Sequence, residues 1–428
     1  MERSAIGEAG RDRSVGGYRV ISPRVARLHG GNRVDIFQKC ADSAKYYAKI
    51  RDAGIYPYYR AISSGQDPVV THGGRELIML GSNNYLGLTN NPEVKEAAAV
   101  ALALFGTGCA GSRLLNGTLD IHLELEDRLA KFLGREAVLT FSTGFQVNLG
   151  VLSCLLQRSD VALLDGLNHA SIIDGCRLSF GKAHKYLHND MADLEKKLAN
   201  TSSEKGKLIV VDGVFSMEGD TANLPKIIEL KNRYAARLLV DDAHGLGVFG
   251  EHGRGTPEHY GVEDQVDLVM GTFSKSLATV GGFIAGRADV IDFIRHEARS
   301  AIFSAAAPPP SVAAAIKALE IIEREPERRK NLWENTRFMK REFETLGFDT
   351  GLSESPVIPL VVGEDVEAFA MTLKLQERGV FANPVISPAV PKGRSMMRTS
   401  YMATHTMEHL ERALEAFAAV GREMGIIP

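Results

Sequence analysis

Leu238-Leu239-Val240-Asp241-Asp242-Ala243-His244-Gly245 sets an apolar run directly against two carboxylates and an imidazole. A short apolar run that does not alternate reads as a strand buried on both faces, and the polar residues closing it mark the loop beyond its carboxyl end. The pattern recurs on either side. Ala137 to Phe141, Val161 to Leu164, Leu208 to Val211 and Leu268 to Met270 are similar runs, each followed by small or polar residues. Between them, His122 to Phe132 and Leu224 to Tyr234 have helical spacing. Buried strands alternating with helices predict an α/β chain with a mostly parallel sheet covered on both faces. Ligands of such sheets gather in the loops past the carboxyl ends of the strands, where the polar clusters stand here.

Outside this block the rhythm changes. Met1 to about Asn32 is rich in Gly and Arg, aperiodic, and reads as a flexible arm. Asp35 to Asp52 has helical spacing, and Gly54 to Tyr59 is an aromatic-rich turn. A strand over Glu76–Leu80 opens the alternation. After Ala307-Pro308-Pro309-Pro310 the spacing predicts one long helical stretch from Ser311 to about Leu346. A strand (Val357 to Val362), a helix (Val366 to Arg378), a strand (Met396 to Ser400) and a helix (Thr406 to Gly425) follow. The expected organisation is an N-terminal arm and helix over 1–75, a large domain over 76–310 and a smaller α+β domain over 311–428.

Composition excludes several classes. A net charge of -3 with 24% charged residues gives no electrostatic case for nucleic acid. The first residues, Met1 to Ser14, lack the apolar core of a signal peptide. No window approaches the roughly 18 uninterrupted apolar residues of a membrane span. Cys40, Cys109, Cys154 and Cys176 have no C-x-x-C spacing, which fits reduced thiols of a cytosolic protein and argues against a metal. There is no G-x-x-x-x-G-K-[ST] loop, no G-x-G-x-x-G after a first strand and no G-x-S-x-G elbow.

Four loops carry chemistry. In Gly271-Thr272-Phe273-Ser274-Lys275-Ser276-Leu277 a lysine follows a buried strand, with hydroxyls beside it and Gly281-Gly282 beyond. A lysine near a loop is as a rule simply solvated, but Schiff-base chemistry needs an amine that partial burial deprotonates, and Thr272 and Ser274 suit a phosphate. Asp241 is either a cap for the next helix or a buried carboxylate that needs a cation. The protonated ring nitrogen of pyridoxal 5'-phosphate (PLP) is such a cation, and the lysine one strand later tips the balance toward it. Phe141-Ser142-Thr143-Gly144-Phe145-Gln146-Val147-Asn148 passes from strand to helix and presents free N–H groups to an anion. His169, in Asp165-Gly166-Leu167-Asn168-His169, stands beyond a further strand end, and its spacing says no more.

Taken together with Asn83-Asn84-Tyr85-Leu86-Gly87-Leu88, Gly108-Cys109-Ala110-Gly111-Ser112-Arg113 and Asn116-Gly117-Thr118, these motifs resemble the α-oxoamine synthases, from about residue 50 to the C-terminus. The resemblance implies a fold-type I PLP-dependent transferase with a mostly parallel-sheet large domain and a smaller α+β C-terminal domain. It also implies a homodimer with active sites at the subunit interface. Within the family, Ser274 before the lysine and Val380 to Val390, leading to Arg398 and His405, are most similar to the bacterial members that join L-serine to palmitoyl-CoA. The implied reaction is a decarboxylating condensation giving 3-ketosphinganine, CoA and carbon dioxide.

Carried over residue by residue, the resemblance implies that Lys275 holds the cofactor covalently and later moves the α-proton, that Asp241 pairs with the ring nitrogen and that His244 bonds the phenolic oxygen. It implies that His169 stacks on the ring and helps orient the substrate carboxylate. It also implies that the Gly144 and Phe145 amides with Thr272 and Ser274 hold the phosphate, with Ser216 close by. Ser82, Asn83 and Arg398 are the candidate substrate contacts. Two departures stand out. Ser387 occupies a position where many members have a carboxylate-binding arginine, and in Phe303-Ser304-Ala305-Ala306-Ala307-Pro308 only Ser304 remains of a usually Ser/Thr-rich segment that reaches the neighbouring subunit's cofactor. The alternatives are the same chemistry with glycine or alanine and another acyl thioester, as in 8-amino-7-oxononanoate synthase or 2-amino-3-ketobutyrate CoA ligase, a non-catalytic partner subunit, and an aminotransferase.

Overall fold

The computed structural model describes residues 35–428, and the arm expected over 1–32 lies outside them. Two compact units separate at Tyr58. In the first, Tyr47 and Arg51 of the helix Gln38–Asp52 close on Tyr56, with ring centroids 6.2 Å apart and the guanidinium 4.6 Å from the ring.

The second unit, from Tyr59 to the C-terminus, holds thirteen strands. In chain order they are β1 (Val69–His72), β2 (Arg75–Met79), β3 (Ala137–Phe141), β4 (Val161–Asp165), β5 (Lys182–Tyr186), β6 (Lys207–Asp212) and β7 (Arg237–Asp241). There follow β8 (Leu268–Thr272), β9 (Gly282–Gly286), β10 (Val357–Gly363), β11 (Val380–Phe381), β12 (Asn383–Val385) and β13 (Ser395–Ser400). Seven form the central sheet, in the order β3-β9-β8-β7-β6-β4-β5. From β8 to β5 the neighbours run parallel, while β9 is antiparallel to both β3 and β8. The sheet is therefore mixed but mostly parallel, and covered on both faces. Leu239 packs into one layer with Leu164, Val210 and Met270, and Leu238 and Val240 pack into the other with Ile209, Val211 and Val269. That two-sided burial is why these strands do not alternate in sequence.

Two strands of the central sheet escaped the apolar pattern for physical reasons. β5 is the free edge, its Lys182-Ala183-His184-Lys185 exposed to water, and a polar edge resists pairing with another chain. β9 begins and ends in glycine, which reads as a turn. Gly282 is required because a Cβ there would come 2.7 Å from the Cα of Gly144. The long helix expected from Ser311 to Leu346 is two helices, Pro309–Arg324 and Glu327–Leu346. Pro326 has no N–H for the Ile322 carbonyl and pushes Glu325 out of the helical region, to φ -121° and ψ 67°. The Ile322 carbonyl accepts from Arg329 Nη1 instead, at 3.2 Å.

The remaining strands make two small sheets, β10-β13-β12 and β1-β2-β11. β11 pairs in parallel with β2, so the segment after residue 379 joins the strand just before the Asn83 motif. β13 and β12 carry Arg398 opposite Asn383.

Candidate active site

β3, β4, β6, β7 and β8 all point the same way, so the loops after them meet at one edge of the sheet. They enclose a cavity of about 340 Å³. Gly144 and Phe145 come to it from the loop after β3, His169 from that after β4, and Ser216 from that after β6. Asp241 ends β7 with His244 beyond it, and Thr272 ends β8 with Ser274 and Lys275 beyond it. Ser82, Asn83 and Arg398 are not in its walls, but Arg398 adjoins them and Asn83 reaches Arg398. Arg398 Nε donates to the Ser216 carbonyl at 2.6 Å and Nη2 to Asn83 Oδ1 at 3.0 Å. Ser82 Oγ accepts from the Asn84 N–H at 3.2 Å.

Each wall is held by its neighbours. Asp241, at the end of β7, receives Asn148 Nδ2 on Oδ2 at 2.7 Å and the Ala243 N–H on Oδ1 at 3.2 Å. Both donors are neutral, so these contacts give the buried carboxylate no cation, and one in the cavity would match it. Asn148 Oδ1 is itself buried without a partner. Lys275 is half-buried, and the surrounding protein pushes its amine down to about 8 despite the nearby charge of Asp241. Burial pushes His244 well below the ordinary imidazole range, and the Lys275 and Arg398 charges add to the effect. His244 is thus neutral, with Nδ1 2.7 Å from the hydroxyl of buried Tyr85. Arg398 is 7% exposed and pairs with no carboxylate among the described residues, which leaves a buried cation beside the cavity.

The helix Gly144–Leu155 starts at the opposite end. Thr143 caps it, accepting the Gln146 N–H at 3.2 Å, while the N–H groups of Gly144 and Phe145 have no partner within the helix. A Cβ on Gly144 would meet Thr272 Oγ1 at 2.8 Å, so glycine lets the helix end approach the hydroxyls of Thr272 and Ser274, 3.0 Å apart. This cradle of N–H and O–H groups fits a phosphate, the carboxylate of Asp241 fits a ring cation, and the Lys275 amine fits an aldehyde. The residues present therefore fit PLP.

Sequence reading missed three members. Tyr85 and Asn148 stood inside quoted motifs, but their reach to His244 and Asp241 is a tertiary fact. Asp212 closes β6 as Asp241 closes β7, directly beside it in register, and its carboxylate accepts the His169 N–H at 3.2 Å. The recurrence of aspartate at strand ends was the available signal. Burial raises Asp212 well above the carboxylate range, and the adjacent Asp241 raises it further. Ser304 is committed within its own chain, its Oγ accepting from Gln146 Nε2 at 3.0 Å. The four cysteines are free, and Cys154 and Cys176 are pushed up to about 12 by burial.

The model of the family described as aminotransferase class I and II matches residues 75–417. A serine palmitoyltransferase of Sphingobacterium spiritivorum is 54% identical over 378 residues, covering 88% of this chain and 95% of that protein. An 8-amino-7-oxononanoate synthase of Symbiobacterium thermophilum is 46% identical over 379 residues, covering 88% and 97%. Among solved structures, the serine palmitoyltransferase of Sphingomonas wittichii superposes with a TM-score of 0.90 at 38% identity, over 92% of this chain and 100% of that one. One from S. paucimobilis with a bound PLP–myriocin aldimine also gives 0.90, at 35% identity and the same coverage.

Proposed function

The chain belongs to the aminotransferase class I and II family and has the fold-type I architecture, and from that premise we propose that it is a PLP-dependent acyltransferase of the α-oxoamine synthase type, joining L-serine to palmitoyl-CoA or a similar long-chain thioester. The products are 3-ketosphinganine, CoA and carbon dioxide. One observation carries the reading: the Lys275 amine, held near neutrality, shares a cavity with the Asp241 carboxylate and a helix-end phosphate cradle. The serine palmitoyltransferase relative that is 54% identical over most of the chain supports the substrate pair.

PLP, when bound, supplies the electron sink that stabilises negative charge on the amino acid's α-carbon. The residues do the rest. Asp241, fixed by Asn148, would keep the proton on the ring nitrogen. Neutral His244, backed by Tyr85, would meet the phenolic oxygen. Gly144, Phe145, Thr272 and Ser274 would hold the phosphate, and His169 would cover the ring and steer the substrate. Arg398 seats the carboxylate of the amino acid, with Ser82 and Asn83 beside it, in place of the arginine absent at Ser387. Lys275 Nζ takes the α-proton, and its amine, pushed down to about 8, suits that task near neutral pH.

We infer that the working form is a cytoplasmic homodimer. Among the described residues no helix is long and apolar enough to cross a membrane. The PLP-loaded protein, given L-serine and palmitoyl-CoA, should release CoA thiol and form 3-ketosphinganine detectable by mass spectrometry. Faster thiol release with glycine or L-alanine, or with a short acyl thioester, would overturn the substrate assignment. Failure with every pair would favour a silent partner subunit.

A further inference from the structure

Two loops deliver the substrate side of the cavity. Residues 166–169, after β4, carry His169, and residues 213–221, after β6, carry Ser216, whose carbonyl receives Arg398 Nε. Between them stands His188, two residues past β5 and outside the cavity walls. Its Nδ1 lies 2.9 Å from Asp165 Oδ1, and its Nε2 lies 2.9 Å from Asp220 Oδ2. A neutral imidazole has one N–H and satisfies only one such contact, so both are hydrogen bonds when both nitrogens carry protons. The Asp165 side chain is fully buried and that of Asp220 nearly so, and His188 is the one cation paired with either among the described residues.

The contacts on each side reach the loops directly. Asp165 Oδ1 also accepts the Leu167 N–H at 2.9 Å, which ties it to the start of the His169 loop. On the other side the imidazole packs edge-on against Phe215, the neighbour of Ser216, with centroids 4.4 Å apart. The Phe215 N–H donates to the Asp220 carbonyl at 2.9 Å, closing the Ser216 loop on itself. Asn189 repeats the bridge, its N–H donating to Asp165 Oδ2 and its Nδ2 to Asp220 Oδ2, both at 2.9 Å.

We propose that His188 is a positioning residue: an imidazolium strut between Asp165 and Asp220 that fixes the His169 and Ser216 loops and, through the Ser216 carbonyl, aims the Arg398 guanidinium at the amino-acid carboxylate. The inference rests on the reading of Arg398 as the carboxylate seat. Burial opposes the charge, but hydrogen bonds and charges from Asp165 and Asp220 outweigh it and lift the imidazole to about 10. Glu218, on the Ser216 loop, also faces it, and Tyr186, at the end of β5, turns a buried, unpartnered hydroxyl toward Asp165 and Asp212. With the folded value raised, the strut's contribution is complete below the ordinary histidine range and is lost as pH rises through about 10.

The test compares His188→Gln, Asp220→Asn and the double variant, which leaves no carboxylate unpaired on the Ser216 side. Serine affinity is read from the serine-induced spectral change of the PLP-loaded protein, and loop order from hydrogen exchange over residues 213–221 in the PLP-free chain. His188→Gln should weaken serine binding about tenfold or more while the cofactor band persists, and should speed exchange over 213–221. The double variant should be no worse than the more damaging single one, because the two residues act as a unit. Unchanged serine affinity in a PLP-loaded His188→Gln protein sinks the proposal. So does a parallel loss of thermal midpoint and PLP binding with no separate effect on serine, which marks a purely structural residue. If the unaltered protein shows no response to serine, the functional reading fails instead, and exchange over 213–221 still decides whether His188 holds the loop.

Discussion

At the scale of single residues, chemistry depends on what each charge is paired with. Lys275 is the clearest case. Its folded value, about 8, lies below the ordinary lysine range, so between the two the folded chain holds fewer protons than the unfolded one and stability rises with pH. The same shift predicts kinetics: PLP capture by the cofactor-free chain should accelerate as pH rises through about 8, followed by absorbance in stopped flow. A midpoint near the ordinary lysine value of about 10.4 would contradict the burial argument. Lys275→Ala should leave no borohydride-reducible adduct and lower kcat at least about 100-fold. Asn148 makes a subtler prediction. Its Nδ2 bonds both Asp241 and Ser171, at 2.7 and 2.8 Å, so Asn148→Ala leaves a buried carboxylate short of a donor. Equilibrium dialysis should find PLP held about tenfold more weakly, in line with a loss of about 1–3 kcal/mol. Asp241, His244, Lys275 and Gly144 could be singled out because Asp241 closes a recognisable strand, His244 and Lys275 each stand three residues past a strand end, and Gly144 opens a helix. Tyr85, Asn148 and Asp212 were not singled out, because a partner distant in sequence defines each.

The elements carry the next level of constraint, and close approach between β9 and the helix Gly144–Leu155 sets the cofactor end of the cavity. A Cβ on Gly144 would meet the side chain of Thr272 at 2.8 Å, whereas a Cβ on Gly282 would meet the backbone of Gly144 at 2.7 Å. A side chain yields more readily than a backbone. Gly144→Ala should therefore fold and bind PLP more weakly, while Gly282→Ala should lose about 1–3 kcal/mol of stability as well. Chemical denaturation of the PLP-free variants separates the two effects, and equal stability would show that the helix end shifts freely. Strands buried on both faces were legible from their unbroken apolar runs. β5 and β9 were not, one because an edge strand is polar, the other because glycines that permit close packing also look like a turn. The helix boundary at Pro326 was available in the sequence but was overridden by an apolar spacing that continues on both sides of it.

Over the whole molecule, the remaining question is what covers the mouth of the cavity. Phe145 and Val280 line it yet are 42% and 54% exposed. The loops beside it carry Leu115 at 81% and Phe303 at 74%, and these loops are joined, the Ala306 N–H donating to the Gly111 carbonyl at 2.9 Å. Ser142, next to the helix end, donates to the Ala305 carbonyl, so the exposed apolar side chains form a rim anchored to the phosphate cradle. Apolar surface gathered in this way is costly in water and is the kind of surface that a partner chain, a membrane or a ligand covers. We propose a second copy as the occupant: a twofold contact around the rim would bury both copies of Phe145, Leu115 and Phe303 and close both cavities at once. The chain should accordingly sediment at twice its 46.5 kDa mass. Leu115→Glu with Phe303→Glu should shift it toward monomer and loosen PLP in the same protein concentration range, since the rim and the cradle share loops. A dimer that survives both substitutions with PLP affinity unchanged would place the contact elsewhere and leave the rim to a different partner.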